Sequence, residues 1–162
     1  MTIMKRVPAV LAAAGLAVLL PGPAWAAGGP QPASGTILIT STTVNSVSTA
    51  GGNTFVVFTA SGILTGTFDG PFTETDREVI HADGSIMVHT DGIQSGTLGT
   101  CGTGTVSYII ESSGTPSALT GRYQLNDQGA STSTPLKIHS VGTLAGSTMT
   151  GQFTYTGTYH CT

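Results

Sequence analysis

An all-β chain closed into one antiparallel β-barrel of about eight strands is the fold this sequence predicts. Three observations carry that prediction. The run Met149 to Cys161 alternates strictly, with Met149, Gly151, Phe153, Tyr155, Gly157, Tyr159 and Cys161 on one phase and a Thr-rich set ending in His160 on the other. A period of two is a pleated strand with one buried and one wet face. About eight to nine such runs follow one another at spacings of roughly 8–12 residues, the pattern of a sandwich or barrel, and no helical period occurs beyond residue 26. Thr-Gly pairs recur at Thr65-Gly66, Thr120-Gly121, Thr150-Gly151 and Thr156-Gly157. Glycines within strands mark the bends that a tightly curved sheet needs, and closure removes exposed edges.

The elements follow in order. Met1 to Ala26 has the form of a secretory signal peptide. Lys5 and Arg6 precede the uncharged apolar run Ala9 to Leu20, Pro21-Gly22-Pro23 ends it, and Ala24-Trp25-Ala26 offers a small-residue cleavage site. At about twelve residues the run is too short to span a bilayer, which takes about 20. Residues 27–34, rich in Pro and Gly, read as a flexible tail before a barrel domain over 35–162. Gly35 to Val47 is the first strand, Ala50-Gly51-Gly52-Asn53 a turn, Thr54 to Phe68 the second strand, and Asp69-Gly70-Pro71 a second turn. Phe72 to His81 and Ile86 to Asp91 flank Asp83-Gly84, a strong hairpin signal. A glycine-rich segment over Gly92 to Thr105 holds a short strand and a turn. Val106 to Glu111, Ala118 to Leu125, Leu136 to Leu144 and the closing run complete the set, with Asn126 to Pro135 a polar loop.

Composition narrows the function. Only 8% of the chain is charged. After cleavage, Arg77, Arg122 and Lys137 remain against eight acids, a formal charge of −5. That balance argues against nucleic acid and anionic membrane surfaces as partners, since both call for basic patches. Cys101 and Cys161 are the whole cysteine set. In an exported protein two cysteines most simply form one disulfide, and closing a loop of about 60 residues stabilises by roughly 4 kcal/mol on the chain-entropy model. The alternative is a reactive thiol or a metal thiolate.

Taking Asp83 and Gly84 as a two-residue loop places Glu78 opposite His89, Asp76 opposite Asp91 and Ile80 opposite Met87. Glu74, Asp76, Glu78 and Asp91 then share a face with His89, and a slip of one residue would exchange every side chain between faces. A carboxylate beside an imidazole can serve acid/base chemistry near neutral pH, so Glu78 and His89 are the candidate catalytic pair. The same face also reads as the solvated side of a hairpin. Tyr108, Tyr123, Tyr155 and Tyr159 lie on apolar phases, as core or as the wall of a ligand site, and Arg122 is a surface guanidinium or an anchor for an anionic ligand. His139 and His160 stand far apart, and no metal spacing links them. No H-E-x-x-H, G-x-S-x-G or P-loop lysine occurs, and Gly102-Thr103-Gly104 lacks the third glycine of a dinucleotide fingerprint. No metal or cofactor is expected.

Several segments carry a resemblance. Gly35-Thr36, Leu64-Thr65-Gly66-Thr67, Phe72-Thr73-Glu74-Thr75-Asp76, Val79-Ile80-His81-Ala82-Asp83-Gly84-Ser85, Gly142-Thr143-Leu144-Ala145-Gly146 and Tyr155-Thr156-Gly157-Thr158-Tyr159-His160 resemble bacterial secreted proteins of the DUF3224 type. That family is similar to the allene oxide cyclase-like β-barrels. The resemblance implies an eight-stranded antiparallel cup, and either a cyclase acting on an apolar substrate or a relative with no known activity. It brings no catalytic residue with it. Three functions are thus expected as alternatives: a barrel binding a small apolar molecule at its mouth, a cyclase or isomerase, and a structural cell-surface module with a filled core.

Overall fold

The computed structural model describes residues 29–126 and 137–161. Residues 1–26, read as a signal peptide, and most of the loop expected over 126–135 lie outside them. Eight strands form a closed barrel in chain order, each antiparallel to its neighbours. They are β1 (Gln31–Ala50), β2 (Asn53–Gly66), β3 (Phe68–Ile80), β4 (Ile86–Leu98), β5 (Thr103–Thr115), β6 (Ala118–Asn126), β7 (Ile138–Ser147) and β8 (Gln152–Cys161). The predicted closed barrel is therefore the observed one. β8 returns to β1 through pairs running from Gln31↔Tyr159 to Leu38↔Gln152.

Several boundaries differ from expectation. β1 begins at Gln31, inside the segment expected to be a loose tail, because its first residues pair with β8. The turn expected at Asp69-Gly70-Pro71 lies within β3; the chain reverses at Thr67 instead. Tyr155 fixes that corner: its hydroxyl accepts from the Phe68 N–H at 2.8 Å and donates to the Phe68 carbonyl at 3.3 Å. β4 runs on through the glycine-rich segment to Leu98, followed by a single 3-10 turn at Gly99–Cys101. Thr148 to Gly151 is a turn, so the closing strand starts at Gln152.

The two ends of the barrel differ. At the lower end the Cys101–Cys161 disulfide joins the 3-10 turn to the last residue of β8, as expected from the cysteine count. The loop it closes spans 60 residues, so the cross-link contributes roughly 4 kcal/mol by the chain-entropy estimate. At the upper end β1 and β2 project past the rim. Pairing of β1 with β8 stops at Leu38, whereas pairing with β2 continues to Ala50↔Asn53. Two bulges on β1, at Ile39/Ser41 and Val44/Ser46, bend this projecting ribbon.

The inward phase fills the barrel. Phe68, Phe72, Tyr108, Tyr123, Phe153, Tyr155 and Tyr159 are buried with Leu64, Leu98, Leu119, Leu125 and Leu144. Phe68 stacks on Tyr155 with ring centres 5.5 Å apart, and Tyr123 meets Tyr155 edge-on at 6.0 Å. Glycine makes room for these rings. A Cβ built on Gly92 would stand 2.1 Å from the Tyr108 ring, so only glycine lets Tyr108 lie across β4 toward β3.

Candidate functional site

The alternation Phe72-Thr73-Glu74-Thr75-Asp76-Arg77-Glu78-Val79-Ile80 sends three acids along one face of β3. In the barrel that face is the lumen. Glu74 and Asp76 are buried, and Glu78 is half-buried near the upper rim. The β3–β4 loop sets which residues share the face. His81 N–H donates to Ser85 O at 2.8 Å, and Gly84 N–H donates to His81 O at 2.9 Å. Gly84 has φ of 83°, so Ala82, Asp83 and Gly84 form a three-residue loop with a left-handed glycine at its end.

That extra loop residue shifts the register by one from the two-residue reading. Glu78 pairs with Val88, Asp76 with Thr90, and His89 with Arg77. Glu78 and His89 therefore point to opposite sides of the sheet and cannot act as a pair. Asp91 likewise leaves the acid face and stands outside opposite Thr75. The facing of the three β3 acids together is retained.

Inside, each buried acid has a hydroxyl partner. Tyr108 Oη donates to Glu74 Oε2 at 2.6 Å, and Thr90 Oγ1 donates to Asp76 Oδ1. Among the described residues, Asp76 Oδ2 and both amide atoms of the fully buried Gln94 meet no hydrogen-bond partner. Burial, then the neighbouring Asp76 charge, pushes the Glu74 carboxyl up to about 7, against the lowering effect of the Tyr108 hydrogen bond. Burial raises Asp76 to about 6, with the Thr90 bond opposing and the Glu78 charge assisting. Burial also raises Glu78. The Tyr108 hydroxyl moves well above its usual range for the same reason, beside a carboxylate. The pair can thus hold a proton near neutral pH and offer or accept it inside the barrel.

Space beside these groups is small. One cavity of about 40 Å³ is lined by Glu74, Gln94, Tyr108, Tyr123 and Tyr155 among apolar side chains. A second, of about 50 Å³, lies nearer the upper mouth between Phe58, Asp76, Val88, Thr90, Leu119, Thr148 and Phe153. Each has room for a few water molecules at most. Larger hollows, such as one of about 740 Å³ over Thr36, Leu38, Thr120, Ala145 and Thr154, are shallow features of the outer wall.

The remaining expected site residues divide. The four tyrosines all face inward, but three of them brace the fold. Tyr155 holds the β2–β3 corner, Tyr159 Oη accepts from Thr100 N–H at 3.1 Å and donates to Gln31 Oε1 at 3.0 Å, and Tyr123 Oη lies 3.3 Å from Ser140 Oγ. Only Tyr108 reaches the acids. Arg122 is exposed on the outer wall opposite Glu111. His89 is also outside, with Nδ1 2.5 Å from Glu111 Oε1 and Nε2 3.2 Å from Asp91 Oδ2; Arg77 Nη1 donates to the same Asp91 oxygen at 2.5 Å. The hydrogen bond to Glu111 raises the His89 pKa, and that from Arg77 lowers the Asp91 pKa.

Gln94 and Thr90 join the site through the inward phase of β4, with only a weak mark in the sequence. Their signal was a polar residue on the phase of Ile86, Val88 and Leu98, which the buried face of β4 uses. Comparison with known proteins finds no family model, no curated protein and no solved structure that matches this chain.

Proposed function

We propose that this protein is an exported binding barrel that takes a small, mostly apolar molecule at its upper mouth. The observation that carries the reading is the continuation of the lumen's inward phase beyond the rim. Val44 pairs with Phe58, Val47 with Val56 and Thr54 with Ile80, so the projecting ribbon presents an apolar inner wall above the barrel. Val44 and Val47 are each 60% exposed, while the floor beneath holds Asp76 with one unpartnered oxygen. An apolar wall with a few convergent polar groups is the usual composition of a small-molecule site. A ligand would lay its apolar part on the wall and place a hydrogen-bond donor at Asp76. Export is supported by the pattern of residues 1–26 and by the disulfide.

Native mass spectrometry of protein purified from its own host tests this reading. The expected result is a retained small molecule in the wild type that Val44→Glu and Val47→Glu release. A bare mass in both sinks it.

Two other readings each have one supporting observation. A cyclase or isomerase of the allene oxide cyclase-like type, implied by the resemblance to DUF3224 proteins, is favoured by carboxyls that hold a proton near neutral pH. Its acid/base residues would be Glu74 and Asp76 rather than Glu78 and His89. A filled-core module is favoured by cavities of about 40 and 50 Å³, far below the roughly 300–1,000 Å³ of ordinary ligand pockets.

A further inference from the structure

His139 and His160 stand far apart in the chain, yet the barrel makes them direct cross-strand partners on β7 and β8. Both lie half-buried on the outer wall at the lower end, remote from the acids and the upper mouth. Their ring centres are 5.4 Å apart, with planes inclined at 58°. Asn126, the partner of His139 on β6, continues the same row. The Asn126 Oδ1 lies 2.9 Å from His139 Nδ1 and also accepts from Gln124 Nε2 at 3.3 Å. A carbonyl oxygen only accepts, so this contact suits the tautomer with its hydrogen on Nδ1, the form of the ring that offers Nε2 to a ligand.

We propose that His139 and His160 form a two-imidazole site for a divalent transition metal ion such as Zn²⁺. Imidazole is a preferred ligand of such ions. With Zn–N at about 2.0–2.1 Å a ring centre stands about 3.2 Å from the metal, and a tetrahedral angle then sets two ring centres about 5.2 Å apart. The 5.4 Å spacing in the barrel is close to that value. The Asn126 contact is one usual for a ligating histidine, whose other ring nitrogen meets a carbonyl that fixes the tautomer and the ring orientation. Two histidines leave two tetrahedral positions for water or an external ligand. Among the described residues no group of three or more His, Cys, Asp or Glu is placed to hold a metal ion, so this site rests on two protein ligands.

The test is calorimetric titration of the untagged protein with Zn²⁺ at neutral pH, alongside ¹⁵N spectra of the imidazole rings. The expected isotherm is one ion per chain. His139→Gln and His160→Gln each weaken it at least tenfold, and Asn126→Leu, which removes the carbonyl that orients His139, weakens it about tenfold. His89→Gln leaves it unchanged, and the ring spectra place the metal on Nε2 of His139. All of these sites are on strand surfaces, and thermal melts of the variants check that each folds. No measurable binding, binding that survives the His139→Gln/His160→Gln double variant, or binding lost in His89→Gln would overturn the proposal.

Discussion

The two faces of the β3–β4 hairpin hold the same residue types in opposite electrostatic states. On the inner face Glu74 and Asp76 sit side by side, and burial raises both carboxyls toward neutral pH. On the outer face Asp91 lies beside Arg77 and is lowered, and His89 lies beside Glu111 and is raised. Both faces belong to one ribbon, and adjacent residues such as Asp76 and Arg77 are assigned to different environments by the pleat alone. A side chain's chemistry here follows from which side of the sheet it occupies, and one loop residue decides that.

The largest expected effect comes from neutralising an inner acid. Glu74 has a folded pKa above its unfolded one, so the native state holds the proton to higher pH. Its contribution is favourable below about 4.5 and is lost as pH rises through about 7. Glu74→Gln keeps a partner for Tyr108 and removes the buried charge. It should stabilise the protein at pH 8 by roughly 3 kcal/mol and flatten the rise in stability on acidification. Urea denaturation at pH 5 and pH 8 reads both; equal midpoints for wild type and variant at pH 8 would break the contrast between the faces.

A smaller effect is expected from Tyr108→Phe. It leaves the ionised form of Glu74 without its donor, which should cost about 1–2 kcal/mol at pH 8 and less at pH 5. It should also move the Glu74 titration further upward, since the hydrogen bond lowers that pKa. Carboxyl NMR of the variant checks the direction.

The smallest effect belongs outside. Arg77→Ala breaks an ion pair whose side chains are about half exposed. Solvent screening holds the expected loss to about 0–1 kcal/mol, shrinking further in salt, while Asp91 titrates at higher pH than before. A loss as large as the gain expected from Glu74→Gln would show that the outer cluster is buried rather than solvated.

Much of this architecture was legible in the sequence. The alternation around Phe153, Tyr155 and Tyr159 predicts the inward face of β8, and the cysteine pair predicts the cross-link. Asp83-Gly84 marks a hairpin but does not by itself distinguish a two-residue loop from a three-residue one. That single ambiguity turned Glu78 and His89 into a false pair. The grouping of Glu74, Asp76 and Glu78 survived it, because i, i+2 spacing holds in any register. The meeting of His139 with His160, and of Tyr108 with Glu74, depends on long-range strand pairing and on the open space at Gly92, which local pattern does not encode.

The most direct test of the inner acids is a ¹³C carboxyl NMR titration that follows Glu74, Asp76 and Asp91 in one sample. The expected result is a Glu74–Asp76 pair that titrates in two steps, at about 7 and about 6, with Asp91 well below both. If Glu74 and Asp76 both titrate near pH 4, as solvated carboxyls do, the lumen of this barrel does not hold buried acids with raised pKa values.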